Sequence, residues 1–279
     1  EGGTCVPYRL DSVGRGRIMT VPVHIGGNVR DFVFDTGAAQ FNFVSERFAR
    51  ENGIRMIADS IPVAGIGRGW VGLGVADSLA VGGIVMRNPV FLISPPDQAT
   101  DTIEVISAVL GNAFMRKAER FTIDNRTRHI VFPAERTLHA DGTKRMANMM
   151  LNSFQPYVRI HADGIPLLFH FDTGNVATTL YPPYYELFRE QVDSCGVEDT
   201  VRIGGFAGVA ENVCYRLPSV EFTLEGVPFT LRDIDVLPSG SAGATAGSEA
   251  GSLGTDFATA FDTLTVDYTS CTVLGENVP

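Results

Sequence analysis

Two copies of Asp-Thr-Gly, at 35–37 and 172–174, are the residues of this 279-residue chain best suited to chemistry. An Asp that ends an apolar strand and is followed by small residues keeps its carboxylate in a defined place. If Asp35 and Asp172 meet, like charges roughly 3 Å apart cannot both ionise, and the pair shares one proton. The ionised member can then take a proton from a bound water while the protonated member donates to a carbonyl oxygen. Gly37 and Gly174 allow a sharp turn and close backbone approach, so that an N–H reaches each carboxylate. The hydroxyls of Thr36 and Thr173 can bond across to the other copy. One such Asp on its own could equally cap a turn; two at matching positions favour a catalytic pair.

The elements that must carry these groups are duplicated. Residues 23–37 align without gaps on 160–174 at an offset of 137 (172 minus 35), with identities at His24/His161, Gly27/Gly164, Phe32/Phe169, Phe34/Phe171 and all of Asp-Thr-Gly. In each copy a strand turns at a glycine and returns with alternating Phe residues on one face, a hairpin pattern. A second block, 109–114 with 252–257 and 122–124 with 265–267, repeats at an offset of 143 (254 minus 111). The duplication thus spans most of each half. Between the blocks lie glycine-rich segments, 64–74 and 203–208, that read as β-hairpins. Short helices are expected at 45–51, 112–120 and 183–192, the last opened by prolines. Residues 133–156 read as the connection between halves, and the Gly/Ala/Ser-rich 239–252 as a surface loop.

Composition agrees with a β-rich, turn-rich protein: 30 glycines, 19% charged residues and 44% hydrophobic residues, enough for a core without a metal or disulfide scaffold. A net charge of -10 and a pI near 4.9 argue against a nucleic-acid partner. No run reaches the ~20 apolar residues that span a bilayer, and the first residues show no basic-then-apolar signal. The four cysteines have no C-x-x-C spacing; Cys195 with Cys214 and Cys5 with Cys271 are possible disulfides, and four independent buried thiols the alternative.

These loops resemble those of the retropepsin-like and pepsin-like aspartic proteases, and are most similar to two-lobed bacterial members of the retropepsin-like group. Residues 32–38 and 169–175 look like the two active-site loops, and 109–111 and 252–254 like the apolar-apolar-Gly segments that brace them. The resemblance implies an all-β, mostly antiparallel bilobal acid-protease fold with few short helices, a pseudo-two-fold duplication and a cleft between lobes at about 1–140 and 141–279. It implies an aspartic endopeptidase with Asp35 and Asp172 catalytic and Thr36, Gly37, Thr173 and Gly174 supporting them. A flap would place Gly65, Ile66, Gly67 and Trp70 over a peptide or protein substrate. It implies no cofactor and no metal, and activity as a monomer, since one chain supplies both aspartates. Ala38 and Asn175 stand where pepsins carry hydroxyl residues, and the first hairpin lacks pepsin's Tyr. Fewer donors to the ionised carboxylate imply a working pH less acidic than pepsin's. An extracytoplasmic location (periplasmic, cell-envelope or secreted) is expected from cysteine placement and acidic composition. The rival expectation is a catalytically silent peptide-binding protein of the same fold.

Other signals are weaker. Residues 67–72 fit G-x-G-x-x-G but lack a preceding buried strand and a following helix. Paired Asp-x-Gly loops also occur in actin-like ATPases, whose fold needs long helices that this chain lacks. His24 and His161 have no acidic or Cys companion at ligand spacing and read as outward-facing strand residues.

Overall fold

The computed structural model describes residues 3–38, 40–65, 67–95, 106–134, 146–205, 208–239 and 247–278. The expected hairpins form. Gly16–Ile25 pairs antiparallel with Asn28–Phe34, and Gln155–Ala162 with Ile165–Phe171. Both turn through two residues of positive φ, Gly26-Gly27 and Asp163-Gly164, the geometry that matches strand twist and that glycine adopts without strain. Phe32 and Phe34 point into the core against Phe48 and Phe121, and Phe169 and Phe171 against Phe222 and Phe257, all edge-on.

Three sheets organise the described chain. A ten-stranded sheet takes its strands from the first half, an eight-stranded sheet from the second, and a five-stranded sheet draws on both. In the shared sheet Arg120–Asp124 lies antiparallel to Thr263–Asp267, its counterpart in the repeat, so the duplicated strands meet near the symmetry axis. Thr122 and Thr265 share a hydroxyl hydrogen bond of 2.8 Å across that axis. The architecture is the bilobal, mostly antiparallel one expected, and the helices among the described residues are short.

Several local expectations need correction. Of the two readings of the cysteines the free thiols hold, but only Cys214 is buried, while Cys5 and Cys195 are exposed. The end of the helix Arg189–Cys195 packs on the Tyr215 side of its strand, and consecutive strand residues point to opposite faces. Cys214 therefore faces away from Cys195, toward Asp235. Cys5 lies in one edge strand of the five-stranded sheet and Cys271 in the turn that leads into the strand at the opposite edge. Without disulfides, cysteine placement no longer argues for an oxidising compartment. The helix expected at 183–192 is two, Pro182–Leu187 and Arg189–Cys195, broken at Phe188. The 133–156 connection contains a strand, Met149–Asn152, and its residues 135–145 lie outside the described residues. The 239–252 segment, of which 240–246 lie outside, ends in a buried strand, Gly251–Leu253. Gly251 packs against the backbone of Thr179 and Leu180 there, a role that its loop-like composition conceals. Among the described residues no helix is long and apolar enough to cross a membrane.

Candidate active site

Asp35 and Asp172 emerge at matching strand ends, each braced by a parallel strand from its own half. Val109 and Leu110 lie beside Val33 and Phe34, and Ser252 and Leu253 beside His170 and Phe171. The Asp35 N–H donates to the Leu110 carbonyl at 3.1 Å, and the Asp172 N–H to the Leu253 carbonyl at 2.9 Å. These are the segments expected to brace the loops, with Ser252 standing in the second where the first has the apolar Val109.

The two loops interlock through their threonines. Each Thr N–H donates to the other's Oγ1, both at 3.0 Å. The Thr36 hydroxyl donates to the Phe171 carbonyl at 2.8 Å, and the Thr173 hydroxyl to the Phe34 carbonyl at 2.5 Å. Both threonines are fully buried, so water does not compete for these four bonds. Asn112 and Thr255, equivalent in the repeat, fix the next peptide: Asn112 Nδ2 donates to the Thr36 carbonyl at 2.6 Å, and the Thr255 hydroxyl to the Thr173 carbonyl at 3.0 Å. Tyr268 in turn donates to Asn112 Oδ1 at 2.7 Å.

This interlock brings the two carboxyl groups into mutual hydrogen-bonding contact. Asp35 Oδ1 accepts from the N–H groups of Gly37 and Ala38, each at 2.8 Å, and Asp172 Oδ1 from that of Gly174 at 2.9 Å. Burial pushes the Asp35 carboxyl well above the usual carboxylate range; the charge of Asp172 and the bond to it add to the rise, and the two N–H donors oppose it. Burial also raises Asp172, against the opposing pull of the bond from Asp35 and of nearby backbone N–H groups. The pair titrates as one unit that keeps a proton where isolated carboxyls would have lost theirs.

The glycines are required by this closeness. A Cβ on Gly37 would collide with the Asp172 carboxyl, and one on Gly174 with that of Asp35. Gly37→Ala or Gly174→Ala is therefore expected to part the aspartates and lower kcat by about 10²-fold, the scale associated with a 1 Å displacement of reacting groups. Steady-state kinetics beside an unchanged circular dichroism spectrum would check this. Undiminished kcat would contradict it.

The flap residues are placed in part. Arg55–Gly65 and Gly67–Val75 form an antiparallel hairpin with Gly65 opposite Gly67 at its tip, while Ile66 lies outside the described residues. Trp70 pairs with Pro62 and is 63% exposed, so it is not packed into the hairpin's base. The G-x-G-x-x-G match falls within this strand, and another strand follows it, so no helix N-terminus is present to hold a phosphate. His24 is exposed and His161 half-buried. Among the described residues no group of three or more His, Cys, Asp or Glu is placed to hold a metal ion.

Four polar residues beside Asp172 went unread in the sequence. Gln155 Nε2 donates to the Gly37 carbonyl at 2.5 Å, joining the second half to the first loop. Tyr157, His170 and Tyr181 lie on the same side of the second sheet as Asp172. The repeat carried the signal, because Val33 of the first copy aligns with His170 of the second.

Fold and interlocked loops together define the pepsin/retropepsin type of aspartic protease architecture, as the resemblance implied. Residues 21–114, which include the first Asp-Thr-Gly, match the family described as aspartyl protease. Along nearly its whole length the chain is similar in structure to the aspartic proteinase from Irpex lacteus. The TM-score is 0.58 at 12% identity, over 99% of this chain and 97% of that one. Among curated proteins no significant sequence match is found.

Proposed function

We propose that this chain is an aspartic endopeptidase that hydrolyses peptide bonds with a water activated between Asp35 and Asp172. The observation that carries the reading is the reciprocal Thr36–Thr173 interlock, which holds two buried carboxyls against each other, where burial and the neighbouring charge favour keeping a proton on the pair. The ionised carboxylate removes a proton from the water as it attacks the carbonyl carbon, and the protonated partner gives its proton to the carbonyl oxygen. Collapse of the tetrahedral species returns a proton to the leaving nitrogen. The peptide lies extended beneath the hairpin at 55–75, held by backbone hydrogen bonds. One chain supplies both aspartates, so the active form is a monomer, and the proposed extracytoplasmic setting rests on the acidic composition alone.

Incubation with a diverse peptide mixture from pH 3 to 8, followed by mass spectrometry, tests the reading. New termini at internal bonds are expected. Saturable peptide binding with no cleavage across that range would instead identify a silent binding protein.

The pH profile follows from the raised dyad. Catalysis needs one proton on the pair, so activity falls as pH rises through the upper, elevated ionisation. Ala38 and Asn175 offer Asp35 and Asp172 no hydroxyl donor, which disfavours the ionised form. The activity maximum is expected to be less acidic than pepsin's, whose dyad ionises near pH ~1.5 and ~4.7. A maximum near pH ~2 would contradict this.

Trp70, the only tryptophan, reports on the hairpin directly. If the hairpin closes over ligand, a statine-type peptide mimic is expected to shift Trp70 emission to shorter wavelength. Unaltered emission at saturation would remove Trp70 from the flap.

A further inference from the structure

The two walls that flank the dyad occupy equivalent positions of a duplicated fold yet differ in chemistry. Strand residues alternate between faces. Phe169 and Phe171 enter the core, so His170 shares the face of Asp172. Its partners in register are Tyr157 on one side and Ser252 on the other, and Thr179 faces Ser252. The same register in the first half holds Thr20, Val33, Val109 and Phe43. His170, Ser252 and Thr179 thus replace Val33, Val109 and Phe43.

Beside Asp35 the result is a small apolar cluster. Ile18, Val33, Ala38 and Val109 form it, with Phe43 and Ile106 packed on its edge. Ala38 also donates its N–H to Asp35, so this cluster adjoins the catalytic carboxyl. Beside Asp172 the corresponding wall is polar. The Tyr157 and His170 rings lie 5.2 Å apart, and Tyr181 hydrogen-bonds Ser252. Glu249 acts electrostatically on Tyr157, His170 and Tyr181. His170 is largely buried, and among the described residues its Nε2 has no hydrogen-bond partner. Burial holds its imidazole neutral, with its pKa pushed down to about 4 against the pull of Asp35 and Glu249.

A wall of this kind discriminates by what it leaves unpaired. An aliphatic side chain placed there would seal the His170 Nε2 against hydrocarbon with no partner, which a site built of polar groups disfavours. An ammonium or guanidinium would supply donors to phenol and imidazole and sit in the field of Glu249. We propose that the peptidase of the preceding section, on which this inference rests, cleaves between two unlike residues. An apolar side chain seats against Phe43, Ile106 and Val109 beside Asp35, and a Lys or Arg side chain seats against Tyr157, His170 and Tyr181 beside Asp172.

The test is a peptide series carrying apolar or basic residues at the two positions flanking the scissile bond, in all four combinations. Turnover gives kcat/KM, and non-cleavable hydroxyethylene analogues of the same series give Kd by calorimetry. One mixed combination is expected to exceed the apolar–apolar peptide by at least about tenfold in both readouts. His170→Val and Glu249→Gln are each expected to shrink that ratio by about tenfold. Equal or better use of the apolar–apolar pair by the wild type, or a ratio unmoved in both variants, would overturn the inference. If the analogues show the basic preference while no peptide is cleaved, the peptidase reading fails and the wall's preference stands.

Discussion

Asp35→Asn and Asp172→Asn are each expected to lower kcat/KM for peptide cleavage by about 10³-fold or more, while the protein stays folded. An amide is nearly isosteric with a carboxylic acid, but it can neither accept the proton of the attacking water nor deliver one to the carbonyl oxygen. General acid–base assistance of this kind contributes typically ~10²–10⁴-fold, and both functions depend on the same shared proton. Stability should move the other way. The folded dyad holds its proton at a pH where an unfolded carboxyl, with a pKa near ~3.9, has lost it. Between the unfolded and folded ionisations the native state binds more protons, so this site's contribution to stability falls as pH rises. Replacing one carboxyl by an amide removes that penalty. Each Asn variant is therefore expected to match or exceed the wild type in urea midpoint at pH 7, with the advantage shrinking toward pH 4. Inactivity with a lowered midpoint would point to misfolding and away from lost chemistry.

Thr173→Val is expected to destabilise the protein by about 2–5 kcal/mol in urea unfolding. The side chain keeps its shape, but its hydroxyl both accepts the Thr36 N–H and donates to the Phe34 carbonyl, and Thr173 is fully buried. Valine leaves those two backbone groups without partners, each costing roughly 1–3 kcal/mol. Thr36→Val should cost a similar amount, because it removes the mirror-image pair of bonds. The double variant should lose less than the sum of the two, since the four bonds form one network and pairs in contact are not additive. Losses below about 0.5 kcal/mol in both single variants, the usual range for surface substitutions, would show that the interlock does not hold the lobes together.

The duplicated hairpins were legible in the sequence because their determinants are local: two residues able to take positive φ at each turn, and Phe residues spaced by two. Asp35 and Asp172 were legible because the tripeptide recurs at one offset. What stayed hidden depends on contacts distant in sequence. Gly251 closes a segment whose composition reads as loop, and it joins a buried strand only because Phe169–Phe171 and Thr179–Leu180 flank it; the repeat marked Ser252 to Gly254 as the brace but not where its strand begins. Cys195 and Cys214 are near in sequence, and strand alternation turns them apart. The helix break at Phe188 carries no proline or glycine to announce it. The polar wall escaped notice for another reason. A repeat is found through its identities, whereas Val33 against His170 and Val109 against Ser252 carry information by differing, and only strand register shows that these positions face the dyad together.

The most direct measurement is titration of peptide cleavage with a statine-type mimic, whose hydroxyl occupies the place of the attacking water. Activity is expected to vanish at one mimic per chain, with binding weakened by orders of magnitude in Asp35→Asn and Asp172→Asn. Cleavage that persists at saturating mimic, or that continues unchanged in both Asn variants, would contradict a water activated between Asp35 and Asp172.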